Sequence, residues 1–138
     1  MKFKDPVFEG RFLRRYKRFF ADFELDGRVE TAHVANTGSL RGLIETEKPC
    51  LVTFNDSPTR KLKYSLQALQ APESWVGVNT ALANTLVKEA FEQQRIDHWA
   101  HYKNLQAEIK ISKETRLDFK LSSGPGADLF VEVKNVTW

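Results

Sequence analysis

FEGRFLRRYKRFFADFELDGRVETAHV, residues 8–34, decides how this chain is read. Residues 8–25 are dense in aromatic and long side chains with no internal Gly or Pro beyond Gly10, and read as one long β-like segment. Asp26-Gly27 is a tight-turn pair, because both positions of the favoured hairpin turn need positive φ, and RVETAHV follows as the returning strand. Moving outward, Asn36-Thr37-Gly38-Ser39 is a second turn. Cys50 to Phe54 is a short strand closed by the Asn55-Asp56-Ser57-Pro58 cluster. Lys61 to Ala71 alternates, with Leu62, Tyr64, Leu66 and Ala68 on one parity. Pro72 ends it, and Trp75-Val76-Gly77-Val78 is one more short strand. Five or so short strands within about 80 residues, each bounded by turn formers, predict a small β-barrel.

The period then changes from two to about 3.6. From Asn79 to about Gln94, Leu82, Leu86, Val87, Ala90 and Phe91 recur at helical spacing, with Asn79 or Thr80 placed to cap the start. After a polar stretch holding His98, His101 and Lys103, strand-like runs occupy 105–112, 115–122 and 128–137. The last two flank a loop of turn formers, Ser122 to Ala127. The reading is α+β, with a barrel over 1–78 and a second, α/β part with one helix and three strands over 79–138.

A chain of 138 residues with 41% hydrophobic and 28% charged residues is ordinary for a globular protein, and ten Phe suffice for a core. The formal charge of +3 permits a nucleic-acid partner without requiring one. Cys50 is the single cysteine, so no internal disulfide forms, which favours a reducing compartment. The opening residues carry no apolar run of signal-peptide type, and no stretch approaches the roughly 18 apolar residues of a membrane span. A cytoplasmic protein with no membrane partner is expected. The oligomeric state is not legible.

The chemistry lies near the end. In 115–122, Arg116, Asp118 and Lys120 share one face; in 128–136, Phe130, Glu132, Lys134 and Val136 do. A loop turning symmetrically about Pro125 sets Asp118 opposite Glu132 and Lys134 opposite Arg116. Facing carboxylates repel, and a bound Mg or Mn ion would convert that repulsion into a site, with the Lys134 ammonium one pleat along. The same alternation is also how any half-exposed strand looks, and a one-residue slip would separate the pair. Both readings stay open on spacing alone.

Near the start, Arg11, Arg14, Arg15, Lys17 and Arg18 interleave with Phe12, Tyr16, Phe19 and Phe20; Arg60 and Lys61, with Lys63 and Tyr64, repeat the pattern. Such a surface offers cations to phosphates and rings to unstacked bases. The competing reading puts Phe12, Phe19, Phe20 and Phe23 in the barrel core and the arginines in solvent. His98-x-x-His101 has two-ligand spacing without a second pair, His33 reads as structural, and Cys50 as a buried small residue.

Several runs together carry a resemblance: GRFLRRYKRFFADF, NTGSLRG (36–42), VNTALANTLVKEAF (78–91), TRLDF (115–119) and VEVKNVT (131–137). In their order they resemble the bacterial and archaeal sugar fermentation stimulation protein family. The resemblance implies an OB-like barrel followed by a PD-(D/E)xK nuclease-like domain, DNA binding, and Mg or Mn at the acid–acid–lysine site. It gives Asp118 and Glu132 the roles of metal-binding carboxylates, Lys134 that of the motif's lysine, and Glu89 that of an acid contributed by the first helix. Glu108 is a weaker candidate. The family pattern runs on beyond Trp138 with a further helix, a strand and a basic segment, so an incomplete catalytic domain is expected here. Catalysis by this chain alone is therefore doubtful, and a binding module without catalysis is the alternative. The family's name suggests a part in regulating sugar use, which none of these residues explains.

Overall fold

The computed structural model describes residues 1–136. The chain divides into two compact units, Lys2–Thr80 and Ala81–Asn135, the second together with Met1; the break falls two residues beyond the boundary read from the sequence.

The first unit contains β1 (Val7–Tyr16), β2 (Phe20–Leu25), β3 (Arg28–His33), β4 (Pro49–Phe54), β5 (Tyr64–Gln70) and β6 (Trp75–Gly77). Its sheet runs β3-β2-β1-β4-β5-β6, and β3 also pairs with β5, in parallel, through Ala32↔Tyr64 and His33↔Ser65. That seam closes a five-strand ring in the order β1-β2-β3-β5-β4, the connectivity of an OB barrel, and β6 is an extra strand on β5.

Asp26 (φ 50°) and Gly27 (φ 76°) make the β2–β3 turn, as that residue pair dictates. The other hairpin departs from the sequence reading. Residues 8–25 are two strands, joined at Lys17-Arg18-Phe19, where Lys17 (φ 44°) and Arg18 (φ 64°) hold left-handed backbone without glycine or asparagine to announce it. Phe19 N–H donates to the Lys17 carbonyl at 2.7 Å within this turn. A second departure lies in β5. It starts at Tyr64 instead of Lys61, and an irregularity opposite Leu51/Val52 breaks its alternation, so Leu66, Gln67, Ala68 and Leu69 are all buried.

The barrel is filled by Phe12, Phe23, Ala32, Val34, Cys50, Val52, Leu66, Leu69 and Val78, with Leu40 and Leu43 added from the β3–β4 connection. Phe12 stands opposite Phe23, whose ring meets Tyr64 edge-on at 5.1 Å. Gly10 lets β1 pass close over this packing: a Cβ there would stand 2.8 Å from both the Glu24 carbonyl and Phe23 Cδ2. The Phe residues thus divide between the two sequence readings. Phe12 and Phe23 are core, Phe20 is half-buried, and Phe19 is 41% exposed. Cys50 is fully buried, and burial pushes its thiol up to about 12.

The second unit has one helix, α1 (Ala81–Glu92), a single 3-10 turn at Asp97–Trp99, and an antiparallel sheet of β7 (Asn104–Lys110), β8 (Arg116–Ser122) and β9 (Leu129–Val131), with β8 in the centre. Its core is thin. Phe119 and Leu121 are buried, but no residue of α1 is. The strand expected over 128–137 is ordered as β only to Val131, and its expected end at Thr137 lies outside the described residues. No helix among the described residues is long and apolar enough to cross a membrane.

Candidate functional site

The β8–β9 register pairs Phe119 with Val131, Lys120 with Phe130 and Leu121 with Leu129. Continued by one step, it sets Asp118 opposite Glu132, the arrangement that symmetry about Pro125 predicts. The ladder stops at Val131, and beyond it a side chain of β8 meets the backbone. The Val133 N–H donates to Asp118 Oδ2 at 2.7 Å, and Asn84 Nδ2, from α1, donates to Asp118 Oδ1 at 2.7 Å. The Val133 hydrogen bond is the main reason the Asp118 carboxyl is held below its usual range; burial opposes the shift, while Asn84, Glu132 and the Lys134 charge add to it. Lys134 is ion-paired to Glu132, which raises the lysine's pKa.

Two facing carboxylates are hard oxygen donors, and a carboxylate oxygen has more than one acceptor position. That set fits Mg or Mn, ions commonly held by one or two carboxylates with water and phosphate completing the shell. Among the described residues no third acid, histidine or cysteine gathers with them in a metal-holding group. Glu89 is elsewhere. Its carboxylate accepts from the Met1 amino group at 2.8 Å and from Gln93 at 3.2 Å, and the Met1 bond lowers its pKa. The helix explains this: five residues separate Asn84 from Glu89, turning their side chains about 140° apart. Asn84 is the residue of α1 that reaches the acid pair, although the sequence reading gave it no role. Glu108, on β7, stands across from Asp118 on β8, between the pairs Ala107↔Phe119 and Ile109↔Leu117, but with φ 54° and its carboxylate 3.4 Å from Arg116. His98 and His101 form no metal group, and His101 packs on Tyr102 at 4.3 Å.

On the barrel, the basic residues separate into engaged and available cations. Arg11 is paired with Glu24 (2.6 Å) and with Glu47. Arg14 is paired with buried Asp22 (2.8 Å), which also accepts from Thr31 (2.8 Å) and Tyr16 (3.2 Å). Arg15 spends its guanidinium on three carbonyls, those of Arg18 (2.9 Å), Asn36 (2.6 Å) and Gly38 (2.6 Å). It thereby clips the β1–β2 loop to the Asn36-Thr37-Gly38 turn. That turn is itself braced: Asn36 accepts from Gly38 N–H at 2.7 Å and donates to the Val78 carbonyl at 2.9 Å. The family-like NTG run is thus first an internal strut.

Lys17, Arg18 and Lys61 meet no acid within ion-pair distance among the described residues. Arg60 is oriented by one bond, Nη2 to Ser65 Oγ at 2.6 Å. These four sit in the β1–β2 and β4–β5 connections, the two loops through which OB barrels commonly bind oligonucleotides. Tyr16, at the end of β1, has Arg14 Cζ 5.1 Å from its ring centroid and Phe20 stacked on it at 5.5 Å and 16°. His33, read as structural from the sequence, is an exposed β3 residue directly opposite Phe20.

Comparison with known proteins follows the same division. Residues 13–78 match the "SfsA N-terminal OB domain" and residues 81–138 the "Sugar fermentation stimulation protein RE domain". A sugar fermentation stimulation protein homolog of Bdellovibrio bacteriovorus is 47% identical over 99% of this chain and 61% of its own length. One from Methylobacterium nodulans is 45% identical over 98% of this chain and 59% of its own. The chain therefore spans about 60% of the length of these curated relatives. Among solved structures, Pyrococcus furiosus SfsA in complex with Ca2+ superposes with a TM-score of 0.77 at 25% identity, over 96% of this chain and 56% of that one.

Proposed function

Because the chain belongs to the sugar fermentation stimulation protein family, we propose that it is a DNA-binding protein whose barrel grips the sugar–phosphate backbone. The observation that carries this reading is the set of cations without acid partners among the described residues, Lys17, Arg18 and Lys61 with Arg60, on the two loops of an OB barrel that commonly bind oligonucleotides, beside Tyr16 and Phe20. Arg11 and Arg14 are ion-paired and Arg15 is bonded to three carbonyls, so these arginines also brace the surface that carries those cations. The test is the salt dependence of DNA affinity by fluorescence anisotropy. Each phosphate contact contributes about −0.9 to the slope of log K against log[salt] on duplex DNA. Lys17→Gln, Arg18→Gln and Lys61→Gln combined are expected to flatten the slope by about 2 to 3 units and weaken binding at low salt. An unchanged slope would move the grip away from the barrel.

A second reading concerns the acid pair and rests on the Asp118–Glu132 register. Here Asp118, Glu132 and Lys134 form a metal-dependent phosphodiester-cleaving site of the nuclease type, and the Ca2+ complex of the Pyrococcus relative supports a divalent cation as its ligand. Asp118 and Glu132 would hold Mg or Mn, which supplies Lewis-acid polarisation of a phosphoryl oxygen. Val133 N–H and Asn84 fix the Asp118 carboxylate as an ionised acceptor. Lys134, ion-paired to Glu132, would offer its ammonium to a water molecule or a phosphate held there.

A further inference from the structure

The geometry points to a seat for one unstacked base of a single-stranded nucleic acid, in the depression bounded by Phe20, His33 and Leu62 on the barrel. This rests on the DNA-binding reading above and goes further by naming the form of nucleic acid and where its base sits.

The seat is built by register. Tyr16 pairs with Phe20, Phe20 with His33, and His33 with Ser65, one row crossing β1, β2, β3 and β5 at the seam where the parallel β3–β5 pairing closes the ring. The row begins as an aromatic column. Arg14 covers Tyr16, and Tyr16 stacks near-parallel on Phe20. Phe20 then borders a cavity of about 360 Å³ whose remaining walls are His33, Leu62, Arg60 and Lys61. Its walls supply an aromatic ring, a leucine and an imidazole, while its rim carries two cations. Arg60 is held in place through Ser65, the last residue of the row, and Lys61 meets no acid within ion-pair distance among the described residues.

A ligand that matches this has a planar apolar face, a hydrogen-bonding edge and a negative charge one linkage away. A nucleotide with its base turned out has all three. A base in duplex keeps both faces against its neighbours and cannot offer one to Phe20, whereas a single strand can. A second depression, bordered by Tyr16, Lys17, Arg18, Thr37 and Ser39, adjoins through the Tyr16–Phe20 pair and provides cations and hydroxyls for a neighbouring phosphate. The Arg15 clip holds the walls of that second depression together.

The experiment compares three fluorescent probes of equal length: oligo-dT, an abasic oligomer and a duplex. Oligo-dT is expected to bind roughly five- to a hundredfold more tightly than the abasic strand, the contribution of about one stacked base. Phe20→Leu should remove most of that margin, bringing oligo-dT affinity down toward that of the abasic strand. In the unsubstituted protein, oligo-dT carrying bromodeoxyuridine should photocrosslink to Phe20 or His33, a readout independent of how any variant folds. Equal binding of dT, abasic strand and duplex, with Phe20→Leu silent or crosslinks confined to residues 81–136, overturns the base seat and leaves DNA binding standing. Failure of all three probes to bind removes the DNA-binding reading and this inference with it.

Discussion

Asp118→Ala is expected to abolish divalent-cation binding and to loosen the chain after β9. The carboxylate supplies one of the two facing acids, and it also receives the Val133 N–H and Asn84. Removing it leaves a partly buried donor unpaired, at a cost of about 1–3 kcal/mol to local order. Titration with Mn²⁺ by calorimetry should show binding in the parent and none in the variant, and the Val133 amide should exchange faster. Full Mn²⁺ affinity in Asp118→Ala would exclude the acid pair as the metal site. The pH dependence has a definite sign. The Asp118 pKa is lowered in the fold, so its contribution is fully present above the unfolded value of about 3.9 and is lost as pH falls through the lower folded value. The second unit should therefore weaken below about pH 4, and Asp118→Ala should lack that part of the acid transition.

Phe23→Ala is expected to destabilise the barrel by about 3–5 kcal/mol, a large share of the roughly 5–15 kcal/mol by which native proteins are stable. Phe23 is fully buried, lies opposite Phe12, meets Tyr64 edge-on, and sits directly beneath the approach of Gly10. None of these neighbours can close the gap without disturbing the ring of strands. Phe19→Ala removes the same side chain from a site 41% exposed and should change stability by less than about 0.5 kcal/mol. Urea denaturation of the two variants checks the contrast. Similar midpoints for both would mean that the division of the Phe residues between core and surface is wrong.

How much of this was legible depended on whether the deciding interaction was local. Asp26-Gly27 announced its turn because few other residue pairs accept left-handed backbone twice in succession. The β8–β9 register was half legible: symmetric closure of a loop of turn formers was one of the readings the spacing allowed, and the pairing of Phe119 with Val131 follows it. The turn at Lys17-Arg18 was not, since two basic residues carry no turn chemistry of their own, and that single omission had consequences. Once β1 and β2 are separated there, Arg11 falls opposite Glu24 and Arg14 opposite Asp22, and both arginines make cross-strand ion pairs. The role of Asn84 was hidden for another reason. Its partner lies 34 residues away on a different element, and no helical periodicity reports that. Glu89 fits the family pattern in sequence yet turns to the amino terminus, a helix-phase effect that needs the position of β8 to be seen.

The burial of Cys50 has a use beyond packing. It is the one sulfhydryl of the chain, lies across β1 and β5 from Gly10 and Leu69, and its proton is held far above neutral pH. A thiolate reagent reaches it only when the ring of strands parts. The protein thus carries an internal clock, in which the rate of alkylation reads out how often the barrel breathes, with no label added and no residue changed.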